Sequence, residues 1–274
     1  MNILQRSLTI LGSIITITIL SSSCSEYARI QKSSDIMEKY SYAKKYYEEK
    51  KYSRAANLLD EIVPYLKGSS EAENSLFLLA QTYYALEDYQ TAQLKYKEYY
   101  TTYPSGHFAE EAMFYSGYGL SLDVPDPRLD QSKTYEAIRE LQNFVDTYPQ
   151  SNRVNDAKKI LFRLQEQLAY KELLATKLYY NLGSYLFNNY ESCIVTARNA
   201  IRNYPYSDYK EEFHYYVVRS LYEIARNSII EKQQTRLRDL RDEYYNYLNE
   251  YPQGKHLSEL KNYFEYAEKN IREE

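Results

Sequence analysis

The groups able to do covalent chemistry are few in this chain of 274 residues, and they stand apart from one another. Its three histidines, His107, His214 and His256, are scattered, and the two cysteines are Cys24 and Cys193. A zinc site needs His and Cys ligands gathered by a turn or short loop, and no such spacing occurs. No glycine-rich stretch opens a helix to cradle a phosphate, and no nucleophile comes with a recognisable base. The acid pairs Glu110-Glu111 and Glu211-Glu212 follow Tyr-Pro turns at helix starts, where negative charge complements the helix dipole. These residue types at these spacings predict no enzyme, no metal and no cofactor. What the chain has in abundance is binding chemistry: 35 tyrosines, 8 phenylalanines and no tryptophan. A tyrosine carries a large apolar ring with a polar tip, which suits both a helix interface and the wall of a wet groove.

The elements that position these rings repeat. Four Tyr-Pro pairs, Tyr103-Pro104, Tyr148-Pro149, Tyr204-Pro205 and Tyr251-Pro252, each close a helical segment of one template. Eight residues before each proline stand Tyr96, Leu141, Ala197 and Tyr244; five before, Tyr99, Phe144, Ala200 and Tyr247; four before, Tyr100, Val145, Ile201 and Leu248. With the tyrosine before each proline, these offsets mark one face of a helix, the buried one. Twelve before come Ala92, Ala137, Cys193 and Leu240, mostly small, as close approach of a neighbouring helix requires. Cys193 therefore reads as a small core residue. Proline ends each helix, because it lacks an amide hydrogen and disfavours helical geometry in the residue before it. Ser105-Gly106, Gln150-Ser151, Tyr206-Ser207 and Gln253-Gly254 follow as turn and cap residues.

With 44% apolar and 26% charged residues the chain has the composition of a folded body, and helix is the only regular structure the pattern supports. The net charge of −4 includes Arg6, and the short basic stretches Lys44-Lys45 and Arg236 to Arg241 are interleaved with acids as solvated helix faces are. No clustered basic surface for nucleic acid is present. Met1 to Cys24 has one charge, Arg6, then an apolar stretch from Ser7 to Leu20, then Ser21-Ser22-Ser23-Cys24. That is the plan of a secretory signal, too short in its apolar part for a membrane span of about 20 residues. A cysteine directly after small residues resembles the lipobox of bacterial lipoproteins, with Leu20 one position further from Cys24 than in the usual pattern. The resemblance implies that residues 1–23 are removed, that Cys24 is acylated, with palmitate among its chains, and that 24–34 is a tether. Ser25 in place of aspartate points to the outer membrane. Acyl chains hold a protein at a membrane without spanning it.

Asn74 to Pro104 resembles a tetratricopeptide repeat, with Leu79-Ala80, Tyr83, Tyr89, Ala92 and Pro104 at that family's positions. Asp35 to Tyr65 repeats it through Ala43, Tyr46, Tyr52 and Ala55, a shift of 37 residues (Ala43 to Ala80). Further units begin near His107, Leu173 and Asp208, and Leu257 to Ile271 completes the series. The expected fold is all-α: a right-handed solenoid of about five tetratricopeptide-like helix pairs plus a C-terminal capping helix. Repeats one to three fall in 35–169 and repeats four and five with the capping helix in 170–274. Within the third repeat, the stretch 122–130 holds Asp123, Pro125, Asp126, Pro127, Arg128 and Asp130 where a tight turn is usual. Two prolines resist helix and project such a loop, which serves either as a partner contact or as plain surface.

The acylated N-terminus, the ordered repeats, the Tyr-Pro-x-Ser/Gly turns and this insertion together resemble the BamD family, tetratricopeptide lipoproteins of the outer-membrane barrel assembly machinery. The tyrosine content resembles a Bacteroidetes-type member. The resemblance implies a lipid-anchored scaffold on the periplasmic face of the outer membrane. Its partners are the periplasmic domains of a BamA-like insertase, unfolded outer-membrane proteins and the membrane lipid itself. It maps the substrate groove onto the first helices of the first two units, at Met37, Tyr40, Lys44, Tyr47, Asn74, Phe77, Gln81 and Tyr84, with Lys44 as the partner of a terminal carboxylate. It assigns the part from Tyr170 onward, together with the loop carrying Asp123, Asp126, Arg128 and Asp130, to the insertase. A second reading is a tetratricopeptide lipoprotein capturing a glycan or peptide ligand for an outer-membrane uptake system.

Overall fold

A computed structural model describes residues 26–272, and all regular structure among them is helical. The expected signal segment, 1–23, and the expected acylation site, Cys24, lie outside the described residues. A first helix covers 26–32 (α1), followed by α2 (Ile36–Glu48), α3 (Tyr52–Ile62), a 3₁₀ turn (Val63–Leu66), α4 (Ala72–Ala85), α5 (Tyr89–Thr102), α6 (Ala109–Leu122) and α7 (Ser132–Thr147). The chain continues through α8 (Val154–Leu182), α9 (Asn189–Asn203), α10 (Lys210–Arg226), α11 (Ile230–Glu250) and α12 (Leu257–Asn270). Helices α2 and α3, α4 and α5, and α10 and α11 pair as the repeats predict, and α12 takes the place of the final helix, packed on α11. Contacts gather the described chain into two compact units, the residues up to 123 with 136–157, and 124–135 with 158–272.

Local sequence explains the helix boundaries. Asp35 caps α2 by accepting from Met37 N and Glu38 N at 2.9 and 3.0 Å, and Asp88 caps α5 through Thr91 N at 3.1 Å. Tyr103, Tyr204 and Tyr251 end α5, α9 and α11 with φ between −123° and −129°, outside the helical basin, as the following proline demands. Between the paired helices the chain turns through a left-handed residue, Lys50 (φ 58°) in the first repeat and Glu87 (φ 62°) in the second, at the same 37-residue shift. Lys51 N and Asp88 N close these turns onto the Tyr46 and Tyr83 carbonyls. Helix α8 runs unbroken for 29 residues because no proline or glycine interrupts it, so the division drawn at 169/170 falls in its middle.

In the first unit α2 packs on α3, α3 on α4, α4 on α5 and α5 on α6, with α2 also reaching α4. That succession is the packing of stacked helical repeats. Tyr46, Leu58, Leu59, Leu79, Tyr96 and Tyr99 form its core, each fully buried side chain contributing roughly 1.5–3 kcal/mol. Ile30 of α1 is buried in the same core, and Tyr27 meets Tyr46 edge-on at 5.8 Å, so the residues after 25 dock on the unit. In the second unit α9 packs on α10, α10 on α11 and α11 on α12, around Phe213, Val217, Leu240 and Tyr247. The template positions eight, five and twelve residues before each proline are buried in all four segments.

Candidate functional site

Six of the eight predicted groove residues line one cavity of about 420 Å³ in the first unit: Tyr40, Lys44 and Tyr47 from α2, and Asn74, Phe77 and Gln81 from α4. Steps of three and four residues place each trio on one helix face, and the contact of α2 with α4 brings the faces together. Tyr40 and Phe77 are buried and form the floor; Asn74 and Lys44 are exposed at the mouth. Phe77 stacks on Phe108, ring centres 4.3 Å apart and nearly parallel, and also meets Tyr99 and Tyr96 edge-on. It therefore serves the core as much as the cavity. The other two predicted residues lie elsewhere. Met37 points to solvent, 52% exposed. Tyr84 is absorbed in an aromatic cluster with Tyr89, Tyr115 and Tyr118, where burial pushes its hydroxyl far above the ordinary range.

Leu78, Phe108, Glu48, Glu71 and Glu111 complete the lining and were not anticipated. Two were within reach of the repeat pattern: moving Asn74 on by 37 positions gives Glu111, and moving Glu71 on by the same step gives Phe108. Glu48 stands one turn after Lys44 on the same helix. The Lys44 ammonium lies over the Tyr40 ring, 4.6 Å from its centre.

The insertion carries its charges differently. Asp123 ends α6 in the first unit, while Asp126, Arg128 and Asp130 belong to the second. Arg128 Nε and Nη2 each donate to Asp126 at 2.9 Å, and with the Arg128 amide they hold the Asp126 carboxyl down at about 2. At the start of α7 the Ser132 side chain and, after it, Ser132 N at 2.9 Å donate to Asp130, which lowers its carboxyl as well. The loop is fastened along α8: Gln167 Nε2 donates to the Pro125 carbonyl at 2.6 Å, and Lys171 Nζ to the Leu129 carbonyl at 2.8 Å. Gln131 closes it from within, donating to the Asp126 carbonyl at 2.8 Å.

A larger cavity, about 660 Å³, lies in the second unit, lined by Ser184, Leu186, Phe187, Tyr190, Arg226 and Arg236 among others. Its guanidiniums are paired with carboxylates, Arg226 with Glu223 at 3.4 Å and Arg236 with Glu191 at 3.8 Å. The adjoining turn exposes Tyr185, Leu186 and Phe187 by 68%, 76% and 79%, with Leu186 in the left-handed region at φ 64°. We take the smaller cavity as the candidate site because repeat-equivalent residues of two helices build it.

The reactive residue types serve structure. Cys193 is buried and its thiol is pushed up to about 11 by burial, away from the thiolate. His256 stacks on Tyr215 at 3.7 Å and lies 2.8 Å from Glu212; the His107 ring meets Phe108 edge-on, centres 4.6 Å apart. Among the described residues no cluster of His, Cys, Asp and Glu could hold a metal ion, and no helix is long and apolar enough to cross a membrane.

The sequence model of YfiO, described as an outer membrane lipoprotein, matches residues 32–188, more than half of the chain. No curated protein matches the chain.

Proposed function

The chain belongs to the YfiO family of outer membrane lipoproteins, and from that membership we propose that it is a non-catalytic scaffold of outer-membrane β-barrel assembly. In this reading Cys24 carries the acyl chains after removal of residues 1–23, and the protein hangs on the periplasmic face of the outer membrane. The first unit receives segments of unfolded outer-membrane proteins, and the second unit binds the periplasmic domains of the barrel-forming insertase. The observation that carries the reading is the convergence of Tyr40, Lys44, Tyr47, Asn74, Phe77 and Gln81 on one cavity. Aromatic rings beside amide groups grip an extended peptide through stacking and backbone hydrogen bonds. The exposed turn Tyr185, Leu186 and Phe187 supports a protein-binding face on the second unit, since contiguous exposed apolar residues mark interaction surfaces. The loop around Asp126 and Arg128, anchored to α8, offers a pre-ordered surface on the same unit.

The test is affinity purification of the tagged lipoprotein from detergent-solubilised envelopes, with partners identified by mass spectrometry. Co-purification of an insertase with repeated periplasmic domains is the expected outcome. Recovery of a nutrient transporter instead would replace assembly by ligand capture.

A further inference from the structure

The charges around the first unit's cavity bear on which peptide enters it. Three carboxylates, Glu48, Glu71 and Glu111, line the cavity together with a single ammonium, Lys44. The Arg153 guanidinium, 3.7 Å from Glu111, offsets one of them. These five groups, three negative and two positive, leave the site net negative, and the two carboxylates without such an offset, Glu48 and Glu71, stand at the end of α2 and at the N-cap of α4, the two helices that form its walls. The charge reaches the floor: the Tyr40 hydroxyl is pushed above its ordinary value by burial and, after that, by Glu71. Lys44 is turned onto the Tyr40 ring, so the chain's own ammonium already occupies the cation-accepting face of the floor.

A terminal carboxylate placed in this cavity would meet carboxylates of like sign and an ammonium already engaged with a ring. A lysine or arginine side chain would meet opposite charge and could take the place of Lys44 over Tyr40. We infer that, given the substrate-groove reading above, the groove takes an extended segment of an unfolded protein bearing a cationic side chain next to an aromatic one, and not a chain end held by its carboxylate. The carboxylates select the cation, Tyr47 and Phe108 receive the neighbouring ring, and Asn74 and Gln81 are placed at the cavity to bond the extended backbone.

The experiment uses the full-length protein purified in detergent and short fluorescent peptides of one alternating aromatic sequence. The peptides differ in carrying Lys or Gln beside the central aromatic residue and in ending as free acid or amide, and binding is read by anisotropy. Replacing Lys by Gln is expected to weaken binding by about tenfold, whereas amidation of the C-terminus changes it little. The double variant Glu48→Gln, Glu71→Gln is expected to bind both peptides alike, with helicity unchanged by circular dichroism because Glu48 is exposed and the half-buried Glu71 side chain makes no capping hydrogen bond to α4. Control of binding by the terminal carboxylate, or a lysine preference that survives in the Gln variant, overturns the inference while leaving the groove in place. If no peptide binds, or Tyr47→Ala leaves binding untouched, the groove reading itself fails and the inference goes with it.

Discussion

His214 shows how far a single side chain's behaviour departs from its type. It sits on α10, 12% exposed, with Nε2 3.2 Å from Glu250 and Nδ1 4.0 Å from Glu243, and neither contact is aligned as a hydrogen bond. Lys210 holds Glu250 and Arg198 holds Glu243, and the ring meets Tyr251 edge-on. Burial lowers the imidazole below its ordinary value of 6.5, against the pull of the two carboxylates. The unfolded chain therefore binds more protons than the folded one just below that value. Stability falls as pH drops through about 6.5 and levels off once pH is below the folded value. His214→Gln should flatten this slope: the gap in urea midpoint between pH 7.5 and 5.5 should be smaller in the variant than in the native protein. An equal gap would place the acid sensitivity elsewhere. Phe77 makes a related point, since a residue mapped as ligand-contacting proves to be a core ring as well. Phe77→Ala should cost about 3–5 kcal/mol of stability, measured by denaturation, so groove function is better tested at Tyr47.

At the scale of the element, two of the four Tyr-Pro turns share a device that the aligned sequence hints at. Tyr99 on α5 bonds Glu73 at the start of α4, and the Tyr99 hydroxyl accepts from Phe108 N at 3.1 Å while Glu73 accepts from His107 N at 2.7 Å. Tyr247, Glu211, Lys255 N and His256 N repeat the arrangement, with Tyr247 donating to Glu211 at 2.7 Å. One tyrosine and one glutamate thus satisfy the free amides at the start of the next helix. A Cβ on Gly106 would lie 2.9 Å from the Tyr99 hydroxyl, and one on Gly254 would lie 2.4 Å from the Tyr247 hydroxyl. Where the five-before residue is Phe144 or Ala200 there is no hydroxyl, and the turn carries Ser151 or Ser207 in place of glycine. Those serines accept from the amides of Arg153 and Tyr209 at 3.1 Å and cap the turn themselves. Gly106→Ala should destabilise by about 1–3 kcal/mol, and by less in a Tyr99→Phe background. A double-mutant cycle on chemical denaturation measures this coupling, and strict additivity would break the link between glycine and hydroxyl.

For the whole molecule, family membership matters most at the N-terminus. The lipobox-like Ser21-Ser22-Ser23-Cys24 precedes α1, whose Ile30 is already buried, so few residues separate the proposed acylation site from the folded body. Cys24→Ala should move the protein from the membrane to the soluble fraction on cell fractionation, and globomycin should block processing of the native form. Membrane retention of the alanine variant would remove lipid as the anchor.

The number of helix pairs, their ends at Tyr-Pro and the buried faces of their second helices were legible in the amino-acid order, because proline chemistry and helical periodicity are local. The first-helix positions that the family resemblance marks in the first two repeats also meet in space, six of the eight lining one cavity. What tertiary structure alone decided depends on atoms far apart in the chain. It fastened the 122–130 insertion to α8 through Gln167, and buried Glu140 with Tyr100 at 2.8 Å and Lys97 at 3.3 Å. It also set Tyr84 in an aromatic cluster apart from the cavity and brought Glu48, Glu71 and Glu111 to the cavity's lining. Sequence periodicity tells which face of a helix turns inward, whereas the charge of a cavity is the sum over whichever side chains packing brings to its rim.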